Sequence, residues 1–175
     1  MKQPLIFLLL FSLATSISCK KDKLDEFGLP KPTQEGRGTF TAILNGTIWE
    51  PCVEPCFLCP PDPEVLSYNY GERNIYLKAQ YYCGNNWQAI TIYADSIDYE
   101  NNVYGWWAKF ADFSDNCYDY RLDTTANNNL IITKFDGYIH GIISGEFDFT
   151  FYNKDCPLLD TIKVRGGRFD VRTDF

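Results

Sequence analysis

The chain has 175 residues, a net charge of -7, 17% aromatic residues, one histidine and one methionine. That length holds one domain whose core needs neither a metal nor a partner, and the acidic balance argues against a nucleic-acid-binding face, which phosphates require to be basic. Aromatic residues suit a pleated, half-buried surface, and leucine and alanine are sparse after the first 18 residues, so an all-β domain is expected. The chain opens with Lys2 and an apolar run over residues 5–14, LIFLLLFSLA. This run is too short to span a bilayer and has the pattern of an export signal, so residues 1–18 are expected to be removed.

Ser18 and Cys19 resemble the bacterial lipobox, with Ser16 at the position where leucine is commonest. The resemblance implies that Cys19 carries the lipid that anchors the protein to a membrane. Each buried methylene contributes about 0.8 kcal/mol, so several acyl chains hold far more firmly than one. The charged stretch Lys20-Lys21-Asp22-Lys23-Leu24-Asp25-Glu26 resembles the surface-export tag of Bacteroidota lipoproteins. That implies an outer-membrane anchor with the domain facing outward. Residues 19–38 are charged and punctuated by Gly28, Pro30, Pro32, Gly36 and Gly38, with no apolar period. They read as a lipidated cysteine and a flexible tether, which leaves residues 39–175 for the domain.

The domain reads as a succession of strands. Residues 39–44 and 47–49 flank Asn45-Gly46, a strong hairpin signal because both residues tolerate positive φ. Further strands are expected at 65–70, 74–82, 87–94, 103–110, 118–122 and 130–135, with turns at Gly71-Glu72-Arg73 and Gly84-Asn85-Asn86. Residues 138–143 lead through Ser144-Gly145 into 146–151, where Phe147, Phe149 and Phe151 alternate with polar residues. That alternation marks one buried and one wet face. Residues 161–164 follow, and Gly166-Gly167 is read as a turn into 168–172. Short, regular spacing and no long helical period predict an antiparallel β-sandwich or a barrel-like relative.

Two stretches at the ends of this domain resemble a family of small Bacteroidota lipoproteins of unknown function. One is residues 29–36 (LPKPTQEG) with Thr39-Phe40 and Leu44-Asn45-Gly46-Thr47-Ile48-Trp49; the other is Ile143-Ser144-Gly145-Glu146-Phe147 with Gly167-Arg168-Phe169-Asp170. The resemblance implies a β-sandwich in the cell envelope. It implies no activity and no catalytic residues.

Besides Cys19 there are six cysteines: Cys52, Cys56, Cys59, Cys83, Cys117 and Cys156. An even number in an exported chain reads as a disulfide framework, and the fifteen possible pairings stay open. Zinc on Cys52, Cys56 and Cys59, with Cys83, Cys117 or His140 as fourth ligand, is the competing reading; thiolates in an oxidising compartment pair with each other instead. A redox role for Cys56 and Cys59 is opposed by Pro60, Pro61 and Pro63, which disfavour the helix such motifs begin. No cofactor is expected.

His140 has no Gly-x-Ser-x-Gly companion and reads as an outward strand residue. Glu146 and Asp148 share the wet face of one strand and do not face each other across a cleft, as glycoside hydrolysis needs. Two loops are rich in oxygen ligands, Asp95 to Asn102 and Asp112 to Asp119, but they lack Ca²⁺-loop spacing and read as solvated. The aromatic residues are more informative. Trp106 and Trp107 are adjacent, so in a strand they point to opposite faces, whereas Tyr118 and Tyr120 are expected to share one. These four are the candidate ligand contacts, set against the alternative that they fill the core. The expected protein is a non-catalytic, lipid-anchored envelope protein. It binds another envelope protein or serves a structural role, with the membrane as its partner through Cys19; the alternative is a module that binds a glycan or small ligand through exposed aromatics.

Overall fold

The computed structural model describes residues 24–53, 65–69, 73–113, 118–137, 140–156 and 159–173. Cys19 and the export signal, Cys56, Cys59, Cys117, Tyr138 and Ile139 lie outside the described residues. Those described form eleven strands and no helix: β1 (Thr39–Leu44), β2 (Thr47–Trp49), β3 (Cys52–Val53), β4 (Val65–Asn69), β5 (Ile75–Cys83), β6 (Asn86–Ile97), β7 (Val103–Asp112), β8 (Tyr120–Leu122), β9 (Asn129–Phe135), β10 (Ile142–Tyr152) and β11 (Thr161–Arg172). They join in one sheet ordered β2-β1-β11-β10-β8-β7-β6-β5-β3, with β4 beside β5 and β9 beside β10. Every pairing is antiparallel except β3 with β5.

The sheet curls into a half barrel, and short β8 is its bridge. Its residues pair with β7 through Phe110 and Tyr120 on one side, and with β10 through Phe151 and Leu122 on the other. Inward residues from both halves meet in one core. Trp106 stacks on Phe149 at 5.4 Å between ring centres, and Phe110 on Phe151 at 6.2 Å. Trp49 lies 6.5 Å from Tyr81 and donates its indole N–H to Gln88 at 3.0 Å, which ties β2 to β5 and β6. The alternation of Phe147, Phe149 and Phe151 points all three inward and buries them. Each buried ring contributes about 1.5–3 kcal/mol by leaving water.

Two expected turns are not chain reversals of the kind the sequence implied. Ser144-Gly145 lies inside continuous β10, and Gly166-Gly167 inside continuous β11. At the second site Phe147 pairs with Gly167 but Phe149 with Val164, so β11 carries one extra residue. This is a β-bulge: Gly166 takes φ 57° and donates its N–H to Asp148 Oδ1 at 2.9 Å. Residues 138–143 were expected as strand, but β10 begins at Ile142 and His140 sits in a turn at φ 62°, its N–H on the Thr173 carbonyl. His140 is exposed, as expected, but from a turn.

Residues 24–38 also depart from expectation. They are docked, not tethering. Leu29 is fully buried. The Asp25 carboxylate receives the N–H groups of Phe27 and Leu29 and the guanidinium of Arg168 at 2.6 Å. Further along, the buried Asp170 carboxylate accepts from the Thr33 and Ser144 hydroxyls and from the N–H groups of Glu35, Gly36 and Arg37. Five donors replace the water that burial removes. The tether reading is left with residues 20–23, which lie outside the described residues.

Candidate functional site

The cysteines give no metal centre among the described residues. Cys52 is bonded to Cys83, with 5.9 Å between Cα atoms, and Cys156 is also disulfide-bonded. The first of these bonds removes Cys52 from the zinc reading and pins β3 to the end of β5. In the acidic loop after β6, the Asp98 carboxylate is occupied by its own neighbours: the N–H groups of Glu100 and Asn102, the Asn102 amide and the Tyr104 hydroxyl. The Asn102 amide does most to hold its pKa down at about 2. Asp148 is engaged by the bulge, and Glu146 is exposed on the outer face of β10.

The four aromatic candidates divide. Trp106 faces inward on Phe149 and Trp107 faces outward, half exposed and stacked on Tyr93 at 5.6 Å. The opposite facing of this pair follows from strand alternation. Tyr118 and Tyr120, in contrast, do not share a face. Asp119 between them takes φ 68°, which breaks the alternation. Tyr120 is buried with its hydroxyl on the Leu159 carbonyl at 2.8 Å, while Tyr118 is exposed. Trp106 and Tyr120 therefore belong to the core.

Tyr118 belongs to a run of rings the sequence reading did not assemble. Tyr82 and Trp87 face each other across the Gly84-Asn85 hairpin, edge to face at 6.5 Å. Trp87 stacks on Phe113 at 3.9 Å with 16° between planes, and Phe113 lies 5.1 Å from Tyr118. The backbone sets this order. Phe113 donates its N–H to the Trp87 carbonyl at 2.9 Å, and Asn153 donates to the Tyr118 carbonyl at 2.8 Å. All four rings are exposed, from 37% at Phe113 to 55% at Tyr82. Edge-to-face and stacked contacts satisfy the rings while leaving part of each in water. Beyond Tyr118 the surface dips into an open cleft of about 730 Å³, lined among others by Asp119, Arg121, Asp123, Tyr152 and Lys154.

The same outer face repeats one pattern on three strands. By register this face carries Tyr76, Lys78, Gln80 and Tyr82 of β5, Tyr93, Thr91, Ala89 and Trp87 of β6, and Trp107, Lys109, Ala111 and Phe113 of β7, with Ala89 and Thr91 of the central strand buried between their neighbours. Aromatic residues close both ends, and small or polar residues fill the middle. Individual aromatic positions were legible in the sequence. Their assembly depends on the β5-β6-β7 register, for which the two-residue turn between Tyr82 and Trp87 was the available signal. No protein-family model, curated protein or solved structure matches the chain.

Proposed function

We propose that the chain is a lipid-anchored, non-catalytic protein of the bacterial outer membrane whose β-domain binds a glycan on the outer face of β5, β6 and β7. The observation that carries this reading is the run of exposed rings Tyr82, Trp87, Phe113 and Tyr118, each in contact with the next. Large exposed apolar patches on a folded domain mark contact surfaces. Flat, partly exposed rings suit the C–H faces of sugars, and the adjoining cleft supplies acids, amides and cations for hydroxyl groups. Within this reading the two meanders on either side of β8 act as the layers of a sandwich. The resemblance to small Bacteroidota lipoproteins and the lipobox-like Ser18-Cys19 supply the location. Binding to another envelope protein was the leading sequence expectation. The run of rings leading to a polar cleft favours the glycan.

The test is a glycan array probed with residues 24–175. Binding is expected, and Trp87→Ala is expected to weaken it at least tenfold without loss of fold. A domain that binds no glycan, or a variant that binds as well as the parent, overturns the reading. Anchoring is tested separately: Cys19→Ser is expected to move the protein from the membrane fraction to the soluble one.

A further inference from the structure

Resting on that reading, we infer that the glycan is acidic: a polysaccharide whose sugar rings carry carboxylate or sulfate groups. The inference comes from what lies between the two aromatic rows. Lys78, Thr91, Lys109 and Arg121 stand in one register row across β5, β6, β7 and β8. Three cations thus converge on one face of a chain whose net charge is -7. Between the rows, the positions that alternate onto this face are Lys78, Gln80, Thr91, Ala89, Lys109 and Ala111, none of them a carboxylate; Thr91 and Ala89 are buried, which leaves the cations on either side of β6 as the groups a ligand reaches.

Among the described residues, the acid that pairs with this row is Asp119. Lys109 approaches it at 3.9 Å and Arg121 at 3.6 Å, so two cations share one carboxylate. All three side chains are about half exposed or more. Such long, solvated pairs contribute little and yield readily to a better anion. Asp95 lies beyond the aromatic rows, folded over Gly105 of the neighbouring strand. On one strand the rings that bound the row are six residues apart, about 20 Å at the rise of a β-strand. A ligand that stacks at both ends must therefore be extended, and its middle crosses the cations. A polymer with anionic groups at intervals has that chemistry, and a neutral one leaves the row unused.

The test compares three polymers on residues 24–175: a polyuronate, the same polymer with its carboxyl groups reduced, and a sulfated neutral polysaccharide. The polyuronate or the sulfated polymer is expected to bind at least tenfold tighter than the carboxyl-reduced one, with an advantage that shrinks as salt rises. Whichever is preferred identifies the anion. The combined variant Lys78→Gln, Lys109→Gln, Arg121→Gln is expected to erase the preference while keeping the weaker neutral binding, and Trp87→Ala to weaken all three polymers. Equal binding of acidic and neutral polymers overturns the inference and leaves the glycan reading standing. Binding of none overturns both.

Discussion

Two glycines are explained by the rings beside them. Gly145 pairs with Phe169, and Gly167 with Phe147, on adjacent strands of β10 and β11. Each ring lies over the glycine opposite, where an added Cβ would overlap it. Alanine at either position must push a core ring aside, and overpacking of this kind costs about 1–3 kcal/mol. Gly145→Ala and Gly167→Ala are each expected to lower the urea midpoint, whereas alanine at the open Gly84 should act only through its φ of 66°. Ser144-Gly145 and Gly166-Gly167 looked like turns in the sequence because a local reading sees chain freedom and not the ring across the strand. Asp170 shows the same limit. Burial raises its pKa, but the donors from Thr33, Ser144, Gly36 and Glu35 outweigh that and hold it below the usual aspartate range. A carboxylate depressed in the folded state contributes stability above its unfolded value. That contribution fades as the pH falls through the folded value. Stability should therefore decline below about pH 4, and Asp170→Asn should cost about 2–3 kcal/mol at neutral pH and flatten the decline. Urea unfolding from pH 7 to 3 checks both.

At the scale of elements, most strands were legible because their residues alternate. β1 and β2 match the sequence reading, and β5, β6, β7 and β9 differ from it only at their ends. The docking of residues 24–38 was not legible. It depends on Arg168, 143 positions from Asp25, and on Asp170, 137 positions from Thr33, so a local window full of glycine, proline and charge reads as a linker. The disulfide between Cys52 and Cys83 acts at the edge where β3 meets β5, beside Tyr82. It closes a separation of 31 residues, and restricting the unfolded chain to that extent contributes about 3 kcal/mol. Cys52→Ser with Cys83→Ser is expected to lower stability by that order in urea unfolding. Ligand affinity should fall by less than it does in Trp87→Ala, because Trp87 and Phe113 are ordered by the β6 and β7 pairing.

For the whole molecule, the curl of the sheet separates two sets of aromatic residues. Phe110, Phe147, Phe149, Phe151, Trp106 and Tyr120 close the core, and Tyr82, Trp87, Phe113, Tyr118 and Trp107 remain outside. The sequence showed that aromatics are abundant and that Trp106 and Trp107 divide. It did not show which tyrosine joins which set, because that depends on the φ of Asp119 and on the pairing of β8. We propose the outer set as a glycan surface. Chemical-shift mapping of residues 24–175 against an acidic polysaccharide tests it most directly. Shifts are expected at the backbone of Tyr82, Trp87, Lys109, Phe113 and Tyr118 and at the Trp87 indole N–H, with Leu29 and Asp170 unmoved. Shifts confined to the docked segment and β11, or none at saturating polymer, would contradict it.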